Sequence, residues 1–472
     1  MRCADTTEIE RSMLIPASSP LPRLDPSAGF TILTYNVLIP NSNDGWWCYK
    51  YYGPGVPVEK TTWAHRQSLL RDRIVGSGAD IVALQETSAD SFESDWSFMA
   101  EAGYDYQLYK SGRMRPATFW KRERWALCQV DGSLVVPPEE GKEVPKGADG
   151  VLQGDRTLTT VLRPLGADGA PVAVPVFVIN AHLSAGPEAR RRLRQVHETL
   201  DAIRKLRVKA KLPEQGACCL LVGDFNSQGH TGVRELLVTG EVRPEFRESG
   251  DPTEANQHEN EVTSKAKKQT LGPFADALGE ACALAGVARP PTIVAAQLQP
   301  AMQNADGTTS TALIAAIDEA FDALSSDGAT LSDEEQASWL RKVNLEIGRG
   351  SEFRFAVAAR ESHGGTPLTR ADFQALYAEE VAQGKFWGVE HDLRVMRPSG
   401  AGMRAPGSPP FTADFDYVWF SSAALKLVGV QAPLPDEKMA ELLSGSQHGL
   451  PDEANPSDHL PVAVALAFEP AP

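Results

Sequence analysis

Short apolar runs bounded by polar residues alternate along the chain with segments whose apolar residues recur at helical spacing. The first run, "TILTYNVL" from Thr31, reads as a strand. An aromatic, Gly- and Pro-rich loop follows, and then "AHRQSLLRDRIVGSG", where Leu69, Leu70, Ile74 and Val75 keep helical spacing up to a glycine. "DIVALQE" reads as a strand, "DSFESDWSFMAEAGY" as a helix, and "ATFWK", "TLTTVLR" and "VPVFVINAHLS" as further strands. "EARRRLRQVHETLDAIRKLRVKA" reads as a long basic helix, and the strand "CLLVGDFNS" follows it. This alternation predicts an α/β fold built in layers.

The pattern changes near residue 248. "ESGDPTEANQHENEVTSKAKKQ" is polar and charged, as a linker is. Beyond it, Leu313, Ile317, Phe321 and Leu324 share one helical face, the pattern breaks at "SSDG", and it resumes with Trp339, Leu340 and Val343. A second helix-loop-helix runs through "FRFAVAARESHGGTPLTRADFQALYAEEVAQGKF". Strand patterns return at "FDYVWFSS" and close at "HLPVAVALAF". The expected organisation is an irregular tail over 1–27, a catalytic domain in two parts (28–247 and 385–472), and a linker with a helical insertion over 248–384.

Composition narrows the picture. At 472 residues, one large domain plus an insertion is expected, and 42% apolar and 23% charged residues suit a globular protein. Six cysteines, two of them adjacent in an apolar strand (Cys218, Cys219), read as reduced core thiols. A net charge of −16 weighs against broad binding to a nucleic-acid backbone and favours a small or locally gripped substrate. No apolar stretch is long enough to span a membrane and the first residues lack secretory-signal order, so a cytoplasmic or organelle-interior location is expected, with no membrane partner.

Apolar packing does not explain the polar groups at five strand ends: Asn36, Glu86, Asn180 with His182, Asp224 with Asn226, and Asp416. A sixth element, "SDHLPV", places Asp458 and His459 before the last strand. In this order, with "ILTYNVL", "DIVALQE", "GDFN", "FDYVWFSS" and the C-terminal "SDH", the chain resembles the endonuclease/exonuclease/phosphatase superfamily. It looks most like the nocturnin and carbon-catabolite-repressor deadenylase branch. The resemblance implies a two-sheet α/β sandwich of deoxyribonuclease type, interrupted here by the insertion, with a hydrolytic site along one rim.

Hydrolysis of a phosphate ester needs an in-line water, a cation for the developing charge and hard oxygen ligands to hold it. In that reading Glu86 binds Mg²⁺ or Mn²⁺, Asn36 orders it or holds a metal-bound water, and Asp458 joins the metal shell. Asp224 orients or deprotonates the attacking water, and Asn226 contacts a phosphoryl oxygen. His182 and His459 face non-bridging oxygens, with Asp416 orienting His459. Asn180, Trp46 and Trp47 are expected substrate contacts. The last two lie in the aromatic cluster with Tyr49, Tyr51 and Tyr52, which either stacks bases or packs its own loop. The basic helix either steers phosphates or is a solvated face.

The insertion resembles a degenerate EF-hand pair, as in plant and algal calcium-binding members of the superfamily. Placing Gly328 sixth in a calcium loop puts Ala323 first, Ser325 third, Asp327 fifth and Glu334 twelfth, an incomplete ligand set. The module therefore binds Ca²⁺ or serves as a structural or partner-binding element. Three functions follow as expectations. The first is a phosphodiesterase acting on a nucleotide or an RNA 3′ end. The second is a phosphomonoesterase acting on a small metabolite. The third is a regulatory protein working through the insertion.

Overall fold

The structure is a computed structural model describing residues 13–88, 90–135, 149–212, 217–248, 262–365, 367–405, 407–446 and 448–469. Two seven-stranded sheets are built from strands numbered here in chain order: β1 (Leu14–Ile15), β2 (Gly29–Asn36), β3 (Ile81–Gln85), β4 (Tyr104–Leu108), β5 (Ala117–Lys121), β6 (Trp125–Leu127), β7 (Val151–Gln153), β8 (Thr157–Pro164), β9 (Val176–His182), β10 (Cys218–Asp224), β11 (Phe274–Asp276), β12 (Asp416–Ser421), β13 (Leu425–Gln431) and β14 (Val462–Phe468). One sheet runs β1-β13-β14-β2-β3-β5-β4; the other runs β11-β12-β10-β9-β8-β6, with β7 paired on β8. The expected α/β sandwich is present.

Side chains two apart in a strand share a face, and this parity forms the core between the sheets. Phe30 and Ile32 of β2, Ile81 and Ala83 of β3, Val176 and Val178 of β9, Cys218, Leu220 and Val222 of β10, and Val418 and Phe420 of β12 all enter it. The opposite face of β9 and β10 packs on helix α2 (Ala189–Lys209) through Ile179, Leu221, Val196 and Ile203. Helix α1 (Trp63–Gly76) covers the first sheet with Leu70 and Ile74. Charge on α2 is spent locally: Arg191 pairs with Asp155 at 3.2 Å, and Arg204 and Lys205 pair with Asp201 at 2.8 and 2.7 Å. The five described cysteines are buried and free. Among the described residues, no helix is long and apolar enough to cross a membrane.

The insertion folds around its own core. Helices α3 (Thr311–Leu324) and α4 (Asp333–Asn344) form one helix-loop-helix, and α5 (Gly350–Ser362) and α6 (Arg370–Ala382) the other. A short antiparallel ladder, Thr330–Leu331 against Leu368–Thr369, ties the two loops together. Leu313, Ile317, Phe321, Trp339, Leu340 and Val343 are buried as their spacing predicts. In the first loop, Asp327 accepts hydrogen bonds from the backbone of Ala329 and Thr330 and the hydroxyls of Ser325 and Thr330. The Arg370 guanidinium donates to the Gly328 carbonyl at 2.7 Å and pairs with Asp318 and Asp322.

The observed boundaries differ from those expected. Helix α7 (Phe386–Met396) contributes Val389, Leu393 and Met396 to the insertion's core, so the module continues past 384. Conversely, β11 pairs with β12, and the following helix Ala277–Ala285 packs into the intersheet core, so both belong to the sandwich. Two apolar turns of helix carry no label saying which core they join, and pairing partners decided it. Part of the expected tail is also ordered, since Leu14–Ile15 pairs in parallel with β13. Residues 249–261 of the expected linker lie outside the described residues.

Candidate active site

The face that buries Val176, Val222 and Val418 turns polar at one end of the sandwich. Strand pairing sets His182, Asp224 and Asp416 side by side, Asp224 being in register with His182 on β9 and with Asp416 on β12. Parity from Phe30 and Ile32 carries Asn36 to the same face of the opposite sheet. Gly223 allows β9 and β10 to approach: a Cβ there would lie 2.0 Å from the Ala181 carbonyl oxygen, and its φ of +126° suits only glycine.

A lower polar layer joins the sheets. Asn180 donates to the carbonyls of Leu84 and Ala117 at 3.1 and 2.9 Å and accepts from Gln85 at 2.8 Å. Its side chain is fully buried and all of its hydrogen-bonding groups are engaged, so the expectation that Asn180 contacts substrate is corrected. It lies one residue pair deeper than His182 and braces the sheets instead.

Above that layer the expected residues converge. Asn36 Nδ2 donates to Glu86 Oε1 at 3.1 Å and to Asp224 Oδ2 at 3.0 Å. His182 Nε2 lies 3.7 Å from Glu86 and 3.8 Å from Asp224, and His459 Nε2 lies 3.9 Å from Asp224. Asp416 holds His459 through Nδ1 at 2.8 Å. Continued extension would send Glu86 to the opposite face from Gln85. Its φ of +65° turns it back, a conformation costing about 1–3 kcal/mol in a non-glycine residue. The Ile39 amide then holds Glu86 Oε2 at 3.2 Å. Asn226, at φ +48°, donates its backbone N–H to Asp224 and its side-chain amide to the Leu183 carbonyl.

Burial shapes the charges. It raises the pKa of Asp224, an effect that Asp416 reinforces and the two imidazoles oppose. Asp458 is raised by burial, and further by Glu86 and Asp224. For His459, burial works against the imidazolium, but contact with Asp416 and the nearby Asp224 and Asp458 outweighs it and lifts the pKa well above the ordinary value. The surrounding carboxylates thus favour the protonated form of the His459 imidazole.

Several positioning residues escaped sequence reading. Arg66, fully buried on α1, donates to the carbonyls of Val37, Leu38, Ile39 and Pro456, clamping the segment after β2 to the one before His459. Its four-residue spacing with Leu70 and Ile74 was the available signal, since it puts a guanidinium on the buried face. Arg192 similarly holds the carbonyls of Ser184 and Gly186, just beyond His182.

The family model for the endonuclease/exonuclease/phosphatase family matches residues 33–459. The chain belongs to that family. It is 27% identical over 279 residues to "Carbon catabolite repressor protein 4 homolog 2" of Arabidopsis thaliana, covering 49% of this chain and 44% of that protein. It is 26% identical over 250 residues to the "CCR4-Not complex 3'-5'-exoribonuclease subunit Ccr4" of Yarrowia lipolytica, covering 45% and 34%. The matches thus span less than half the length of these curated relatives. Among solved structures, ANGEL2, described as a 2',3'-cyclic phosphatase, aligns over 93% of this chain and 95% of its own, at 14% identity and a TM-score of 0.49. The human nocturnin catalytic domain aligns over 95% and 97%, at 13% identity and a TM-score of 0.39.

In this member of the endonuclease/exonuclease/phosphatase family the insertion forms one wall of a cleft that meets the site at His182. A cleft of about 810 Å³ runs from His182 and Arg156 past Trp46 and Trp47 to Arg349 and Trp387. Trp387 stacks on Trp47 and Tyr51 with ring centroids 5.0 and 4.4 Å apart, and Arg349 lies over Trp46 at 4.6 Å. Trp46 and Trp47 therefore line the cleft, while each already has a ring face packed against the insertion. Beneath them Lys50 is buried, 2.9 Å from Glu352 of α5 and 3.0 Å from Asp392 of α7. Asn344 and Tyr377 complete the two carboxylates.

Proposed function

We propose that the protein is a metal-dependent hydrolase of phosphate esters, acting as a phosphodiesterase on a nucleotide or an RNA 3′ end by in-line attack of water. The observation carrying this reading is the convergence of Asn36, Glu86, His182, Asp224 and His459 at paired strand ends, each within 3.0–3.9 Å of at least one other. The relatives described as exoribonuclease subunits support the RNA end as substrate.

The donor set suits a hard divalent cation such as Mg²⁺ or Mn²⁺. Glu86, Asp224 and Asp458 supply its carboxylate oxygens in a buried setting, where burial and Asp416 raise Asp224, and burial, Glu86 and Asp224 raise Asp458. Among the described residues no three His, Cys, Asp or Glu side chains form a ready-made cage. Mg²⁺ is commonly held by one or two carboxylates and keeps water and substrate oxygens as its other ligands. Glu86 would hold the ion, with Asn36 ordering the carboxylate and Asp458 alongside. Once bound, the ion supplies electrostatic stabilisation of the phosphoryl oxygens.

The protein groups do the rest. Asp224, its basicity raised by burial, takes the proton of the attacking water. His459, held protonated by Asp416, and His182 donate to the non-bridging oxygens as charge develops. Asn226 is fixed beside Asp224, its backbone N–H on the carboxylate and its side-chain amide on the Leu183 carbonyl. A phosphomonoesterase is the second reading, favoured by the insertion, which closes one side of the cleft and suits short substrates. For the insertion, we infer a structural wall in preference to a calcium sensor, because Asp327 is committed to its own loop and Arg370 to Gly328, Asp318 and Asp322.

The test is a Mg²⁺ titration of hydrolysis by wild type and Glu86→Ala. The variant needs higher Mg²⁺ and turns over more slowly; an unchanged titration would remove Glu86 from the metal shell.

A further inference from the structure

The insertion brings positive charge to the cleft, against the −16 carried by the chain as a whole. Six basic residues line the cleft, Lys50, Arg113, Arg156, Arg349, Arg354 and Lys385, against three acidic ones, Asp155, Glu352 and Glu380. Each acid is already committed: Glu352 to Lys50, Glu380 to Lys385 at 2.9 Å, and Asp155 to Arg191. The excess falls on arginines, two of them supplied by the insertion. Arg354 is exposed on α5 and makes no ion pair among the described residues. Among the described residues Arg349 makes one ion pair, with Glu346, in a surface pair with partners 39% and 63% exposed, and it rests on the Trp46 ring. Both are therefore available to a ligand at small cost.

The volume also exceeds what one phosphoryl group needs. About 810 Å³ falls in the range that encloses a drug-sized ligand, and the cleft is continuous from His182 to Arg354. The buried Lys50–Glu352–Asp392 cluster fixes the wall that presents the two arginines, so their position relative to His182 is set by the fold.

We propose that Arg349 and Arg354 bind a second phosphate of the substrate, so that the enzyme prefers nucleotides or RNA ends carrying a phosphate beyond the one hydrolysed. This rests on the phosphoesterase reading of the site. The second phosphate is either a terminal one or that of the next internucleotide link, and the two present the same dianionic or monoanionic oxygens to a guanidinium fork.

Diadenylate with and without a 5′-phosphate (pApA and ApA) and triadenylate without one (ApApA) separate the sources. In wild type, kcat/KM for pApA exceeds that for ApA by about tenfold or more if a terminal phosphate is read, and ApApA gains similarly if an internucleotide phosphate suffices. In Arg349→Gln/Arg354→Gln these ratios fall towards one; being internal to each protein, they are insensitive to general loss of activity. A second measurement needs no turnover: binding of adenosine 3′,5′-bisphosphate and adenosine 3′-monophosphate, followed by Trp fluorescence with chelator present. Wild type binds the bisphosphate about tenfold tighter or more, and the double variant loses that preference. Equal ratios in wild type and variant, in turnover or in binding, overturn the subsite. An arginine-dependent binding preference without turnover of any substrate upholds the subsite and overturns the hydrolase reading.

Discussion

His459→Ala lowers kcat by about 10²–10³-fold, the usual loss when one donor to a developing oxyanion is removed, and leaves the fold intact. The residue sits at the end of the site, braced by the Ser457 hydroxyl through its backbone N–H and by Asp416 through its ring. Loss of the ring removes a cation that burial alone would discourage and Asp416 sustains. Asp416→Asn keeps the shape and removes that charge. The His459 pKa then falls, so the variant loses activity as pH rises through a range in which the wild-type imidazolium persists. A pH profile of kcat/KM checks both statements. Near wild-type turnover in His459→Ala, or superimposable profiles in Asp416→Asn, would remove His459 from the chemistry.

Lys50→Met costs about 3–5 kcal/mol of stability, because it leaves Glu352 and Asp392 buried without their cation. Burial opposes the Lys50 charge, yet the two carboxylates outweigh it and raise its pKa, so the ammonium is the form the structure is built around. Asp392 is also held by His391 at 2.9 Å and Glu352 by Asn344 at 3.1 Å; both carboxylates therefore stay in place after the substitution. Denaturant unfolding followed by Trp fluorescence measures the cost, and limited proteolysis shows whether the insertion leaves the aromatic loop. A loss below about 1 kcal/mol would mean that stacking of Trp387 on Trp47 and Tyr51 holds the wall without the ion cluster.

The polar rim was legible in the sequence because strands bury every second residue. Once Phe30 and Ile32 or Leu220 and Val222 are read as core, Asn36 and Asp224 must face the same space. Depth was not legible. Asn180 shares its face with His182, and only the packing of the two sheets decides that one braces Gln85 while the other reaches the cleft. The turn at Glu86 was also hidden, since nothing in "ALQE" announces a left-handed residue. The largest omission was Lys50. A lysine in an aromatic loop reads as solvated, and its partners lie about 300 residues away on helices of the insertion. The reach of the insertion to Met396 escaped for the same reason: helical spacing identifies a face and leaves its partner open.

We propose that polar groups at adjoining strand ends form a metal-dependent phosphoesterase site in which Asp224 activates water. The most direct test is hydrolysis of a 5′-labelled oligoadenylate, beside p-nitrophenyl phosphate and bis-p-nitrophenyl phosphate, with Mg²⁺ or Mn²⁺ and with chelator, by wild type and Asp224→Asn. The expected result is metal-dependent shortening of the oligonucleotide by the wild type, abolished by chelator and reduced by about 10²-fold or more in the variant. Absence of turnover on all three substrates, or equal turnover by the variant, would contradict it.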